Sequence, residues 1–168
     1  RNQLRKDLAR TMYAFHLFHS THPNSLLYMH AAMQDLGGSL PSQAYHLGMR
    51  VIADRPEVVF TDRSFHEALG VPRAHMNELY NACDLIISTS TGEGWGLTTT
   101  EAMAAGVPFI GPNNTTFPEI LGNNEGRGLL AESGGVDLWY THYGHSEAPR
   151  ELVSVSSMLE KIERAYLE

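Results

Sequence analysis

Glu93 and Glu101 stand on either side of a glycine-rich run, Gly94-Trp95-Gly96-Leu97-Thr98-Thr99-Thr100, which follows the apolar stretch Leu85-Ile86-Ile87 and Ser88. That order reads as a strand, a tight turn and the start of a helix. Backbone N–H groups at a helix start lack partners within the helix, and with the helix dipole they favour an anion. Gly92, Gly94 and Gly96 let the chain approach a ligand closely. Paired carboxylates also serve glycoside hydrolysis, but a hydrolase has little use for an anion cradle between them. The plain alternatives are a turn with incidental glycines and a glutamate that only complements the dipole. Leu97 fills the place of the third glycine in a dinucleotide fingerprint, and no Gly-Lys-Ser/Thr follows, so neither a dinucleotide turn nor a P-loop is present.

Charge gives a second clue. The chain carries a net −7, yet Arg1, Arg5, Lys6 and Arg10 crowd its first ten residues against Asp7 alone. A small basic cluster on an acidic body suits one compact anion such as a phosphate group. Duplex nucleic acid would call for a broad basic face, which is absent. The 168 residues are 42% hydrophobic and 18% charged, which fits one folded domain and excludes a disordered tail. One cysteine, Cys83, excludes an internal disulfide and a thiolate cluster. No apolar run is long enough to span a membrane. A cytoplasmic setting is expected, with any membrane association supplied by a longer parent protein. No metal is expected: there is no Asp-x-Asp pair, and His16, His19 and His22 run into Pro23, where a helix ends.

The elements that must position these groups follow from apolar spacing. Leu4, Leu8, Met12, Phe15 and Phe18 form a helix stripe, stopped before Thr21-His22-Pro23. Short apolar runs at 26–30, 58–60, 85–88, 107–110 and 128–131 read as strands. Residues 37–50 read as loop with a short helix near 42–47. Helices are expected over 72–82 and 99–105, the second closed by Gly106, and a last one over Leu152, Val155, Leu159, Ile162 and Tyr166. Alternating helices and continuous apolar strands predict an α/β fold around a parallel sheet, with the ligand at the strand-to-helix loops. The helix at the chain start leaves the first strand of such a sheet unaccounted for.

The string Leu79-Tyr80-Asn81-Ala82-Cys83-Asp84-Leu85-Ile86-Ile87-Ser88, then Gly-Glu-Gly-Trp-Gly-Leu, then Glu-Ala-Met-Ala-Ala-Gly-Val-Pro, resembles the donor domain of group 1 glycosyltransferases. These are retaining enzymes of the GT-B fold, related to glycogen synthases and phosphatidylinositol mannosyltransferases. The resemblance is close over 79–121 and looser elsewhere. It implies a Rossmann-like doubly wound parallel sheet, the C-terminal half of a GT-B fold lacking its first strand. Residues 1–168 would form the nucleotide-sugar binding domain of a two-domain enzyme. The N-terminal acceptor domain lies outside the chain, so this piece alone is expected to transfer no sugar.

The resemblance also implies residue roles. Glu93 would be the first acid of an E-x7-E motif, facing the donor sugar, and Glu101 the second, hydrogen-bonding the ribose. Backbone amides from Gly94 through Trp95, Gly96 and Leu97 to Thr98 would hold sugar hydroxyls and the distal phosphate. Arg1 and Lys6 would clamp the diphosphate, with Arg5 as the neighbouring candidate. Thr61 and Asp62 fall where relatives meet the base. The substrate would be a nucleotide-diphosphate sugar, with no cofactor and no metal. Transfer with retention comes from the resemblance alone. A non-catalytic nucleotide-binding module and a nucleotide-sugar epimerase on the same scaffold are the alternatives.

Overall fold

The computed structural model describes residues 1–61, 70–122, 126–134 and 150–168. A short 3-10 turn over Leu4–Lys6 opens the chain. Asp7, at φ +47°, separates it from helix α1 (Leu8–Thr21). The expected stripe therefore starts at Leu8, while Leu4 lies on the turn and is exposed. α1 stops before His22-Pro23 because proline has no N–H to continue the ladder.

Strand β1 (Leu27–Met29) follows. An antiparallel hairpin of β2 (Gln34–Asp35) and β3 (Gly38–Ser39) follows, and β3 falls within the stretch 37–50 expected to be loop. Helix α2 (Leu40–His46) is capped by Ser39, whose hydroxyl accepts from the Ser42 amide. β4 (Val58–Phe60) and α3 (Arg73–Asn81) fall where the apolar spacing puts them. Next come β5 (Ile86–Ile87), α4 (Leu97–Ala104) and β6 (Phe109–Pro112). Gly106 adopts φ +74° just past the end of α4, a conformation that favours glycine. A five-residue helix, α5 (Phe117–Leu121), was not expected from the sequence. β7 (Leu129–Ala131) and α6 (Val155–Leu167) complete the order. Among the described residues, no helix is long and apolar enough to cross a membrane.

β1 pairs with β4, and β6 sits between β5 and β7; all these pairings are parallel. No ladder joins β1 to β5 among the described residues, so the parallel strands form two sheets. The fold is α/β with parallel sheets.

Two apolar clusters cover the two sides. Met12, Phe15 and Phe18 of α1 meet Leu40 and Ala44 of α2, Met158 and Ile162 of α6, and Leu27, Val58, Ile110 and Ala131 from the strands. On the other side, Tyr80, Ala102, Phe117 and Leu121 from α3, α4 and α5 pack on Phe109. Phe109 and Ile110 are adjacent in β6, and strand alternation sends them to opposite faces. Fully burying a side chain of this kind contributes about 1.5–3 kcal/mol. Gly128 is held tightly here: a Cβ on it would lie 2.9 Å from the Phe109 carbonyl oxygen and 2.7 Å from Leu121 Cδ2.

Candidate functional site

The site grows from the loop between β5 and α4. Thr89, Ser90 and Thr91 are buried polar residues, and each ties this loop to the turn at the chain start. The Thr89 hydroxyl donates to the Asp7 carbonyl at 2.7 Å and shares a 2.7 Å hydrogen bond with Thr11. The Thr91 amide donates to the Arg5 carbonyl at 2.7 Å. Buried hydroxyls and amides need such partners, so the two segments are locked together. The left-handed Asp7 ends the turn that carries Arg5 and Lys6 along the loop.

Both basic side chains then converge on Glu93. Arg5 Nη1 lies 2.8 Å from Glu93 Oε1, and Lys6 Nζ bonds the same oxygen. The Ser90 hydroxyl donates to it at 2.9 Å. Arg5 also donates to the Gly92 carbonyl at 2.9 Å. Burial disfavours the Glu93 carboxylate, but the Lys6 bond and charge, the Ser90 hydroxyl and Arg5 outweigh it. The carboxyl is held below its ordinary range. Two cations face one carboxylate here, leaving the cluster net positive.

Beyond Glu93 the chain turns into α4. The Glu93 amide donates to Thr115 Oγ1 at 3.3 Å. Thr115 belongs to the β6–α5 loop and adopts φ +44°. Gly96, at φ +75°, is the residue before the helix, and its carbonyl accepts from Thr99 and Thr100. The amides of Gly94 through Thr98 precede those first bonds, and Gly94, Trp95, Leu97 and Thr98 are exposed while Gly96 is buried. A Cβ on Gly94 would meet nothing within 4 Å, and no positive φ is required there. Nothing in the described chain demands glycine at that position. Trp95 and Leu97 are 59% and 67% exposed, so neither side chain serves the core.

Glu101 sits one turn further along α4, with its side chain toward α3. Tyr80, itself buried, donates its hydroxyl to Glu101 Oε2 at 2.6 Å. Burial, and then the Glu101 carboxylate, push the Tyr80 hydroxyl pKa well up, so Tyr80 stays protonated and donating. Sequence reasoning gave Tyr80 no role; only the fold brings α3 against α4.

The other predicted positions are placed as follows. Arg1 is not beside Glu93; its guanidinium lies 3.4 Å from Asp35 on β2. Arg5, the neighbour in the basic cluster, takes the position beside the acid. The Thr61 hydroxyl donates to the Met29 carbonyl at 3.1 Å, and Asp62 lies outside the described residues. The histidines toward the end of α1 are structural. His16 bonds the buried Glu57 at 2.6 Å, His19 bonds Ser25 at 3.0 Å, and His22 stacks on Phe18 with ring centres 4.2 Å apart. Among the described residues, no group of three or more His, Cys, Asp or Glu side chains could hold a metal ion. Cys83 donates to the Leu79 carbonyl at 3.2 Å, and burial pushes its thiol pKa up.

The parallel strands thus bring an acid and two cations together at one loop cluster before a helix start. The family model described as "Glycosyl transferases group 1" matches residues 64–139. O-antigen chain mannosyltransferase B of Escherichia coli is 38% identical over 72 residues, which are 43% of this chain and 18% of that protein. Lipopolysaccharide core biosynthesis mannosyltransferase LpsB of Rhizobium meliloti (strain 1021) is 42% identical over 52 residues, 30% of this chain and 15% of LpsB. The matches thus span under a fifth of these relatives' lengths. The crystal structure of a GtfA/B complex superposes with a TM-score of 0.64 at 17% identity, over 98% of this chain and 27% of that one. Residues 64–139 thus match the model of group 1 glycosyltransferases.

Proposed function

We propose that this domain binds a nucleoside-diphosphate sugar and takes part in moving the sugar to an acceptor. The observation that carries the reading is the convergence of Arg5 and Lys6 on Glu93, four residues before the start of α4. Breaking the anomeric C–O bond builds negative charge on the departing diphosphate. Fixed cations and amides aimed at that charge lower the barrier without reorganising. Glu93, held ionised, faces the positive charge that grows on the sugar. Lys6 and Arg5 supply the electrostatic work that a metal would otherwise do, so the reaction is read as metal-independent. Retention of configuration is carried by the family likeness.

The named relatives are mannosyltransferases, so a mannosyl donor is the first candidate. The acceptor groups belong to a second domain. One feature of the fold supports reading this chain as the donor half. In a 3-2-1-4-5-6 sheet the first strand lies between strands 2 and 4. The break between β1 and β5 falls at that place.

Calorimetric titration of the full-length protein with UDP, GDP and ADP, and with their mannose and glucose conjugates, tests the reading. One diphosphate is expected to bind selectively, and its mannose conjugate more tightly. A folded sample that binds none of them overturns it. Binding with no transfer to any acceptor favours a non-catalytic module. Glu101 is read as the ribose acceptor, oriented by Tyr80. Tyr80→Phe removes that one bond, so nucleotide affinity should fall about three- to tenfold. Unchanged affinity in the same titration would detach Glu101 from the ribose.

A further inference from the structure

We infer that Arg150 is a third cation of this site, a guanidinium held against Gly92 to engage the diphosphate. The inference rests on the donor-site reading above and adds to it a residue 57 positions beyond Glu93.

Arg5 and Lys6 are both committed to one carboxylate. A diphosphate carries more charge than the single surplus positive charge they leave. Arg150 reaches the same place from the other end of the chain. A Cβ built on Gly92 would lie 2.2 Å from Arg150 Nη1 and 3.5 Å from its Cζ. The guanidinium therefore packs on the Cα of Gly92, while Arg5 Nη1 holds the carbonyl of that residue. Thr115 Cγ2 stands 3.6 Å from the same point. Its hydroxyl is the one that takes the Glu93 amide.

Among the described residues Arg150 has no ion-pair partner, whereas Arg5, Lys6, Arg10 and Arg164 each have one. Its Nε is buried and donates to nothing. A buried N–H without an acceptor is costly to keep, and an acceptor arriving with a ligand removes that cost. The backbone around it is fixed. The Gly134 amide donates to the Leu152 carbonyl at 3.1 Å and the Ser154 amide to the Glu132 carbonyl at 2.8 Å. This ties the segment after Arg150 to the end of β7. A guanidinium fork, planar and permanently charged, can take two phosphate oxygens at once.

Gly92 has its own reason in this arrangement. Any side chain there would push the guanidinium away from the loop.

The test is titration of full-length wild type, Arg150→Gln and Arg150→Lys with the nucleoside diphosphate that wild type binds best and with the matching nucleoside. Arg150→Gln keeps much of the side chain's packing and removes the charge. Diphosphate affinity is expected to drop about tenfold or more in Arg150→Gln. Nucleoside affinity should stay within about twofold, and the thermal midpoint should not move. Arg150→Lys should recover part of the loss at low salt, because it restores the charge without the fork. Wild-type diphosphate affinity in Arg150→Gln overturns the role of Arg150 and leaves the donor site standing. Equal losses for diphosphate and nucleoside, or a lowered midpoint that accounts for the loss, make Arg150 structural and also overturn it. Failure of wild type to bind any diphosphate overturns the donor-site reading and this inference together.

Discussion

Glu93→Ala is expected to cut sugar transfer by about 10²–10³-fold while leaving affinity for the free nucleoside diphosphate unchanged or higher. The two effects have opposite signs because Glu93 does two things. It faces the sugar as an ionised carboxylate, and it occupies Arg5 and Lys6. A diphosphate must compete with it for those cations. Removing the carboxylate frees both, and the free diphosphate gains what the carboxylate held. The sugar conjugate loses the stabilisation of its developing positive charge, and only the conjugate does. Parallel titrations with diphosphate and conjugate, alongside a transfer assay, separate these effects. Equal loss of both ligands would contradict the assignment.

The same carboxyl sets an acid limit. Its pKa lies below the ordinary 4.5 in the folded chain. A lowered folded-state pKa contributes stability above the unfolded pKa, and that contribution is lost as pH falls through the folded value. Stability and transfer through this group should therefore hold from neutral pH down to the ordinary carboxyl range and fall only below it.

Much of this site is legible in the sequence because its core is local. Glu93, the glycine turn and the start of α4 lie within a dozen residues, and strand alternation and apolar spacing place them on a strand, a loop and a helix. β4 and the main run of α6 follow from the same periodicities. What was not legible is non-local or carried by single backbone angles. Nothing in the spacing of Arg1, Arg5 and Lys6 says which guanidinium faces the loop. That is decided by Asp7 at φ +47° and by the Thr89 and Thr91 hydrogen bonds to the Asp7 and Arg5 carbonyls. α5 is too short for a period to be read from Phe117, Ile120 and Leu121. Tyr80 and Arg150 reach the site only through packing between elements far apart in the chain. The tight space beside buried Gly92 that Arg150 fills is visible only in the fold.

Lys6→Ala should lower diphosphate affinity by about 10- to 100-fold, the second-largest effect expected here. Lys6 is the partner that does most to hold Glu93 ionised, through both its hydrogen bond and its charge. Its loss removes one of the two cations paired with Glu93 in a half-buried site, where screening by water is incomplete. It also leaves burial, which pushes the Glu93 carboxyl up, opposed only by Ser90 and Arg5. The variant should therefore show two linked changes: weaker diphosphate binding and an acid limb of transfer moved to higher pH. Lys6→Arg keeps the charge and should restore most of the pH profile. It should recover less of the affinity, since a planar fork cannot take the place of a compact ammonium already shared with Glu93. A pH profile of Lys6→Ala that matches wild type, with diphosphate affinity intact, would mean that Lys6 serves only to dock the first turn on the β5–α4 loop. A shifted limb with intact affinity would confine Lys6 to Glu93 and leave the diphosphate to Arg5 and the α4 amides.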